Sequence, residues 1–259
     1  MKRDLYFSKP IINAAGSLGF SPDLRVLAKH PAGKEFGGLT DFGAFVTNPI
    51  SLRPRLPTSQ PALIEFPGGF LLHTGLPNPG FSAVVKKHGA RWNRADLPII
   101  VHLMADRPEE SMNMVRKLEA MENVMAIELG FAPLLADDII LLTLEMCAGE
   151  LPLIFSLPAE QVLSLGPRLI QEGAAAVSIS SPRGILMDEH DELIAGRLYG
   201  QSLFPRSLEI VHSAGMLGLP IIGAGGVWTD KNAADMLSAG AMAVEMDASL
   251  WVPKEASAS

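Results

Sequence analysis

Eight short apolar segments recur along the chain and alternate with longer stretches of helical spacing. Because most residues in each segment are apolar, both faces of each strand would be buried, which is typical of parallel strands covered by helices. The predicted strands are Pro10–Ala15, Gly43–Asn48, Leu97–Met104, Val124–Leu129, Leu151–Leu157, Ala175–Ser180, Leu219–Gly225 and Ala241–Asp247.

The stretches between the later strands carry helix signals. In Asp106–Glu122 the apolar residues recur at intervals that place them on one face of a helix. In Thr229–Gly240 the first residue is a suitable N-cap and the last a suitable stop. Pro158–Ala174 reads as a third helix, which we expect to kink or split at Pro167.

Eight strand–helix units predict a single-domain (β/α)8 TIM barrel over residues 1–259, with a doubly wound open sheet as the alternative. The Pro- and Gly-rich segment Leu52–Phe81 follows the second strand, and we predict a long loop there, over the C-terminal mouth of the barrel. After the last strand only Ala248–Ser259 remains, too short for a full eighth helix. Either this part is a frayed tail over a thin wall, or a partner subunit covers it.

Composition narrows the class of protein. The 259 residues are 48% hydrophobic and carry a net charge of -7, so a large core is expected and a nucleic-acid partner is not. The single cysteine, Cys147, excludes an intrachain disulfide and favours a cytoplasmic location. We see no secretory signal and no apolar run long enough to span a bilayer, so no membrane association is expected.

Five motifs in order resemble the dihydroorotate dehydrogenase family, especially its soluble branch. They are Asn13–Phe20, Gly43–Arg55, Gly75–Phe81, Gly196–Val211 and Ile221–Met246. The likeness extends over nearly the whole chain. It implies an FMN-dependent (β/α)8 barrel, and in that family the reaction is oxidation of dihydroorotate to orotate.

The resemblance also implies site residues. Ala14, Ala15 and Gly16 match the backbone that lies against the flavin, although a tight strand-to-loop turn would explain them equally well. Asn78 matches a substrate-contacting loop, with a turn residue that caps its own backbone as the alternative. The remaining implied cofactor contacts are Asn48 and Ser181 near the ring or ribityl chain, and Gly200, Gly225 and Gly226 around the phosphate.

Four departures from the family pattern fall at this site. Asn48 and Ser156 stand where the family has lysines beside the flavin. Gly130 stands where it has a flavin-contacting asparagine, and the loop from there to Asp138 has no Cys or Ser to act as the usual base. Asp247 replaces a glycine whose neighbourhood binds the phosphate, and its carboxylate would repel that group.

Other polar residues could supply acid–base chemistry. His73, in the long second loop, is the best sequence candidate because imidazoles titrate near neutral pH, although a structural histidine is the commoner case. His102 lies within an apolar strand and is interpreted as a core residue, and Glu128 as structural. No short metal-ligand motif is present, so no metal is expected. Arg183 is the nearest cation that could replace a missing lysine.

Three functions compete. The first is a divergent FMN-dependent oxidoreductase that acts on a small metabolite other than dihydroorotate, with His73 and Asn78 as catalytic candidates. The second is a flavin-free lyase or isomerase that uses the same mouth, with His73 and Asp247. The third is a non-catalytic partner subunit, suggested by the shortened eighth unit. We expect a homo-oligomer in any case.

Overall fold

The eight apolar segments form one closed parallel barrel. The computed structural model describes residues 3–22, 42–133 and 135–251. The eight barrel strands are β1 (Ile11–Asn13), β2 (Phe45–Val46), β5 (Ile99–Met104), β6 (Val124–Gly130), β7 (Leu153–Leu157), β8 (Ala176–Ile179), β11 (Ile221–Gly223) and β12 (Ala243–Met246). Their order is β1-β12-β11-β8-β7-β6-β5-β2, and a parallel bridge between Ile12 and Ala44 closes the ring. The predicted TIM barrel is confirmed.

Helices cover the outside of the barrel, as the apolar stripes predict. Those in the described ranges are α1 (Phe81–Trp92), α2 (Pro108–Leu118), α3 (Asp137–Cys147), α4 (Ala159–Gln171), α5 (Phe204–Met216) and α6 (Asp230–Ser238). Thr229 caps α6 through a reciprocal capping box with Asn232. The prediction of a kink or break at Pro167 is wrong, because α4 continues through this residue without interruption. Within the described ranges, no helix has the length and apolar composition that crossing a membrane requires.

The segment after β2 is more ordered than a long loop. It contains the hairpin β3 (Ala62–Phe66) and β4 (Gly69–His73), which pairs with a second hairpin, β9 (Arg183–Met187) and β10 (Leu193–Tyr199). Together they form a four-stranded antiparallel sheet in the order β3-β4-β10-β9. The acidic residues from Asp188 to Glu192 form the turn of the second hairpin.

A short turn follows the last barrel strand in the described part of the chain. After β12 the described chain forms one 3₁₀ turn, Ala248–Leu250, and then Trp251. The indole Nε1–H donates to the Ser17 carbonyl at 2.9 Å, and the ring contacts Tyr199 of β10. The rest of the predicted tail, residues 252–259, lies outside the described residues.

Two apolar layers build the core. One lies between the strands and the helices, where it includes Trp92, Phe45 and Phe155. The other fills the inside of the barrel with one or two residues per strand: Ile12, Ala44, Val46, Ile100, Ala126, Ile154, Ala176, Ile222 and Ala243. The small residues among them leave room for larger side chains in the next layer toward the mouth.

Candidate active site

A polar layer lies directly above the apolar layer inside the barrel. Side chains two positions apart on a strand point to the same face, so the residues two places after the apolar layer also face inward, nearer the carboxyl ends. On five strands these are polar: His102 on β5, Glu128 on β6, Ser156 on β7, Ser178 on β8 and Glu245 on β12. All five are buried.

His102 and Glu128 are paired in register on neighbouring strands. His102 Nδ1 lies 2.6 Å from Glu128 Oε2, and the Ser178 hydroxyl donates to Glu128 Oε1 at 2.6 Å. The carboxylate is therefore held from two sides. Because an ionised carboxylate only accepts hydrogen bonds, Nδ1 carries the proton, and this fixes the orientation and tautomer of the imidazole.

Gly130 makes room for this imidazole. A Cβ atom built at Gly130 would lie 2.5 Å from His102 Nε2 and 2.8 Å from Cε1. The volume that a side chain at position 130 would need is thus occupied by His102. In the sequence, Gly130 was a departure from the family pattern. In the structure, the lack of a side chain at this position is what allows His102 to fit.

Two buried carboxyl groups of the layer, Glu128 and Glu245, interact with each other, and a third, Asp247, lies near Glu245. Burial, then repulsion by Glu128 and Asp247, raises the pKa of Glu245 well above its ordinary value, which favours the protonated form of this carboxyl group. Burial also acts to raise the pKa of Glu128, but the charge of His102 and the hydrogen bonds with His102, Ser178 and Glu245 outweigh it, and the net pKa is lowered. The two opposite shifts favour the ionised form of Glu128 and the protonated form of Glu245.

Asp247 directly follows β12 and lies at the same cavity. Burial raises its pKa to about 6, although the Ala248 N–H donates to Oδ1 at 2.5 Å and opposes the effect. The carboxylate of Asp247 therefore accepts the backbone amide of the next residue. Because this pKa lies below 7, the side chain of Asp247 is charged in most molecules at neutral pH.

A cavity of about 290 Å³ opens above this layer at the carboxyl ends of the strands. His102, Glu128, Glu245 and Asp247 are among its lining residues. Two cations reach it from the antiparallel sheet, Arg183 of β9 and Arg197 of β10, and hydroxyls reach it from Ser156, Ser180 and Ser181. In the described parts of the chain, no three His, Cys, Asp or Glu side chains are arranged to hold a metal ion.

Four of the residues predicted from the sequence lie at this cavity. Ala14, Ala15, Ser181 and Gly225 all line it. Small side chains at the first two positions leave the end of β1 open to a flat ligand. No observation tests whether a cofactor contacts them, so this role stays a prediction.

Three predicted glycines are not among the lining residues. Gly16, Gly200 and Gly226 have φ angles of 93°, 134° and 74°, in the region that favours glycine. A Cβ at Gly200 would collide with the Gly68 carbonyl oxygen. Tight backbone turns account for these glycines without a ligand.

The predicted polar residues Asn48 and Asn78 are engaged by the backbone. Asn48 Oδ1 accepts from the Gly19 N–H at 3.0 Å. Asn78 Oδ1 accepts from the Gly80 N–H at 3.0 Å and from the Ser51 N–H at 3.2 Å. Neither lines the cavity, and Asn78 adopts the turn-capping arrangement that was the alternative interpretation.

His73, the sequence candidate for acid–base chemistry, lies in the antiparallel sheet. It ends β4, its Nε2 lies 3.2 Å from Thr58 Oγ1, and it is not among the lining residues. The structure therefore brings His102, rather than His73, to the cavity. The alternation of the strands was a signal for this, because Ile100 and His102 have the same parity.

Comparisons with known proteins point in one direction. A model of the family described as "Dihydroorotate dehydrogenase" matches residues 3–132. The chain is 27% identical to the dihydroorotate dehydrogenase B (NAD(+)) catalytic subunit of Pelobacter propionicus, covering 98% of this chain and 87% of the relative. It is also 27% identical to the protein of the same description from Pyrococcus abyssi, covering 95% and 85%.

A solved structure has the same architecture. The chain superposes with a TM-score of 0.73 on DHODH from Eimeria tenella in complex with ferulenol, with 17% identity, covering 96% of this chain and 79% of that one. At this identity the similarity concerns the fold.

Proposed function

Because this chain belongs to the dihydroorotate dehydrogenase family, whose members are oxidoreductases, we propose that its cavity is the active site of an enzyme acting on a small metabolite other than dihydroorotate. The observation that carries the proposal is the imidazole of His102, buried at the cavity and held by Glu128. An enzyme needs such an oriented group to move a proton.

His102 serves as the general base. In the neutral form of His102, Nδ1–H donates a hydrogen bond to Glu128 and the lone pair of the ring is on Nε2. When Nε2 takes a proton from the substrate, the carboxylate of Glu128 stabilises the imidazolium that forms. In its protonated form, which the raised pKa favours, Glu245 adds a carboxyl group that can donate a hydrogen bond to the substrate or to Glu128.

A substrate other than dihydroorotate follows from the position of this base. The resemblance implies a base in the loop after β6, and Gly130–Pro133 offers neither a thiol nor a hydroxyl. The base is instead inside the barrel, on β5. A group that reacts with His102 must therefore reach deeper into the barrel than one that reacts with a loop residue.

FMN binding remains a proposal. The residues support it where the flavin contacts are implied, but not at the end where the phosphate would bind. Ala14, Ala15, Ser181 and Gly225 line the cavity where the resemblance implies flavin contacts. Asp247 lines the same cavity at the expected phosphate end, and its carboxylate already accepts the amide of Ala248. These residues do not fit a phosphate dianion at neutral pH, so no step of the proposed chemistry passes through a flavin.

A flavin-free lyase or isomerase is the second candidate, and Asp247 is the observation that favours it. Proton transfer by His102, with the carboxyl group of Glu245 nearby, is sufficient for elimination or isomerisation beside a carbonyl or carboxylate. The two candidates share the base and differ in the need for an electron acceptor.

Hydrogen–deuterium exchange tests the shared base. The purified protein would be incubated in D₂O with a panel of small carboxylic acids, and loss of C–H signals followed by proton NMR. We expect exchange with at least one acid, and a loss of about 10²-fold or more in His102→Asn. His73→Asn is the matched control and should exchange as the wild type does. Equal exchange by His102→Asn would contradict the proposal.

A flavin titration separates the two candidates. FMN would be added to the wild type and to Asp247→Gly at about pH 7.5, with fluorescence quenching as the measurement. For the flavin-free candidate we expect no saturable binding to the wild type, together with colourless protein. A yellow preparation, or tight binding by the wild type, would instead establish the FMN-dependent oxidoreductase.

A further inference from the structure

Two arginines face each other at the cavity. Arg183 and Arg197 are directly paired in register on the antiparallel strands β9 and β10, and both line the cavity. Side chains at directly opposed positions have Cβ atoms about 5 Å apart, and like charges placed there are destabilising. Partial burial, then the charge of Arg197, lowers the pKa of Arg183, which is the electrostatic sign of this repulsion.

Among the residues that the structure describes, no carboxylate compensates the pair. In the described parts of the chain, neither guanidinium takes part in an ion pair or a hydrogen bond. Arg168 lies 2.9 Å from Glu172 and Arg206 lies 2.7 Å from Glu209, but other described surface arginines also have no carboxylate partner. What distinguishes Arg183 and Arg197 is that two unpaired guanidinium groups lie opposite each other at the cavity.

The acidic side chains of the cavity are directed elsewhere. Glu128 is held by His102 and Ser178, and Asp247 by the Ala248 amide. Glu160 also lines the cavity, but it is exposed at the start of α4 and no ion pair joins it to either arginine. The cavity thus has a cationic rim on the antiparallel sheet and an acidic floor inside the barrel.

We propose that Arg183 and Arg197 bind the oxyanion group of the substrate, a carboxylate or a phosphate, and direct its uncharged end toward His102. Guanidinium forks match the planar or tetrahedral oxygens of these groups. The acidic floor repels the anion, so charge alone orients the molecule between rim and floor. This inference rests on the proposed function and names its substrate class as small metabolites with one anionic end.

Binding of simple oxyanions tests the site without turnover. Inorganic phosphate and malonate would each be titrated into the full chain by calorimetry at constant ionic strength. We expect saturable binding of at least one by the wild type, weakened at least about tenfold in Arg183→Gln and in Arg197→Gln. Arg206→Gln, on an exposed helix face, should bind as the wild type does. Phosphate alone indicates a phosphorylated substrate, and malonate alone a carboxylic acid.

The stability of the unliganded variants provides a second measurement. If the arginines await a ligand, removing one relieves repulsion, and Arg197→Gln should melt at the same temperature as the wild type or higher. A purely structural arginine would give a lower melting temperature. The inference is overturned by a lower melting temperature, by equal anion binding in the variants, or by no saturable binding to the wild type.

His102→Asn distinguishes this inference from the proposed function. The variant should bind the anion as the wild type does, because position 102 lies on the floor and the arginines at the rim. Anion binding without any proton exchange would leave the arginine site standing and remove the proposed chemistry. Proton exchange that neither arginine substitution changes would leave the proposed chemistry standing and remove the arginine site.

Discussion

At the scale of single residues, Gly130 and His102 form one steric unit. The Cβ of an alanine at position 130 would lie 2.5 Å from Nε2, which no real contact tolerates. The imidazole cannot move aside freely, since Nδ1 is bonded to Glu128. We expect Gly130→Ala to lower the free energy of unfolding by about 1–3 kcal/mol, measured by urea denaturation.

A double-mutant cycle isolates the cause. Asparagine at position 102 keeps a donor near the place of Nδ1 and removes the Nε2 edge, so Gly130→Ala should cost less in His102→Asn than in the wild type. Gly166→Ala, within α4, is the control. Its Cβ would lie 3.5 Å from Leu219, which is an ordinary van der Waals distance. Equal costs in both backgrounds would show that His102 is not the obstacle.

Asp247 predicts a pH dependence of stability. Burial raises its pKa from 3.8 to about 6 in the folded protein, so the folded state binds more protons than the unfolded state between these values. Its contribution to stability is present in full below about pH 4 and is lost as the pH rises through about 6. A pKa difference of this size corresponds to about 3 kcal/mol.

Asp247→Asn should remove the loss of stability that accompanies the ionisation of Asp247. The amide oxygen can still accept from Ala248, so the variant should be more stable than the wild type by about 1–3 kcal/mol near pH 7.5 and close to it near pH 4. Urea denaturation at the two pH values measures this. Asp235→Asn, which removes an exposed ion pair with Lys231, should change stability by less than about 1 kcal/mol at either pH. A variant no more stable near pH 7.5 would contradict the assigned burial cost.

At the scale of elements, a side chain completes the barrel between β1 and β2. Only one backbone bridge joins these strands, and β2 is two residues long. The amide of Asn13 supplies the missing pair of bonds: Nδ2 donates to the Val46 carbonyl at 2.8 Å, and Oδ1 accepts from the Val46 N–H at 2.9 Å. The barrel closes where the strands themselves have too few residues to pair.

Asn13→Ala should therefore be costly. It leaves the buried N–H and C=O of Val46 without partners, at about 1–3 kcal/mol each, so we expect a loss of about 2–6 kcal/mol in urea denaturation. Exchange of the Val46 amide should accelerate with it. Asn48→Ala, which removes one half-buried bond to Gly19, should cost about 1 kcal/mol. Similar costs for both variants would show that Asn13 does not hold the closure.

The elements also show what the sequence could predict. Apolar runs such as Ile99–Met104 identified every barrel strand, because parallel strands are buried on both faces. The antiparallel sheet escaped prediction: Ala62–Phe66 is short, alternates between half-buried and exposed positions and lies among prolines, and its hairpin pairs with a strand more than 100 residues away. Such pairing depends on the closed barrel.

The site follows the same division. Period-two alternation was enough to place His102, Glu128 and Glu245 on the inner face of their strands. That His102 lies opposite Glu128, and Arg183 opposite Arg197, depends on strand register, which a single strand's sequence does not specify. The sequence therefore predicts which polar residues face the inside of the barrel. Which of these residues are paired with each other is shown only by the structure.

At the scale of the whole molecule, Trp251 connects the barrel with the antiparallel sheet. Its indole donates to Ser17 next to β1, meets Tyr199 of β10 edge-on at 5.1 Å, and lies 6.4 Å from Phe70 of β4. Phe70 and Tyr199 in turn stack at 5.6 Å. The short end of the barrel thus fastens the sheet that carries Arg197 above the cavity.

Removing this connection should loosen the sheet and spare the barrel. In Trp251→Ala we expect amide exchange in β3, β4, β9 and β10 to accelerate at least about tenfold, since local opening there loses the aromatic contacts, while β5 to β8 keep their protection. Exchange followed by mass spectrometry resolves the two regions. Trp251→Phe retains a ring in the cluster and loses only the bond to Ser17, so its sheet should exchange less than in the alanine variant. Uniform acceleration across both regions would mean that the barrel and the sheet open as one unit, in which case the arginines at the rim are positioned by the whole fold.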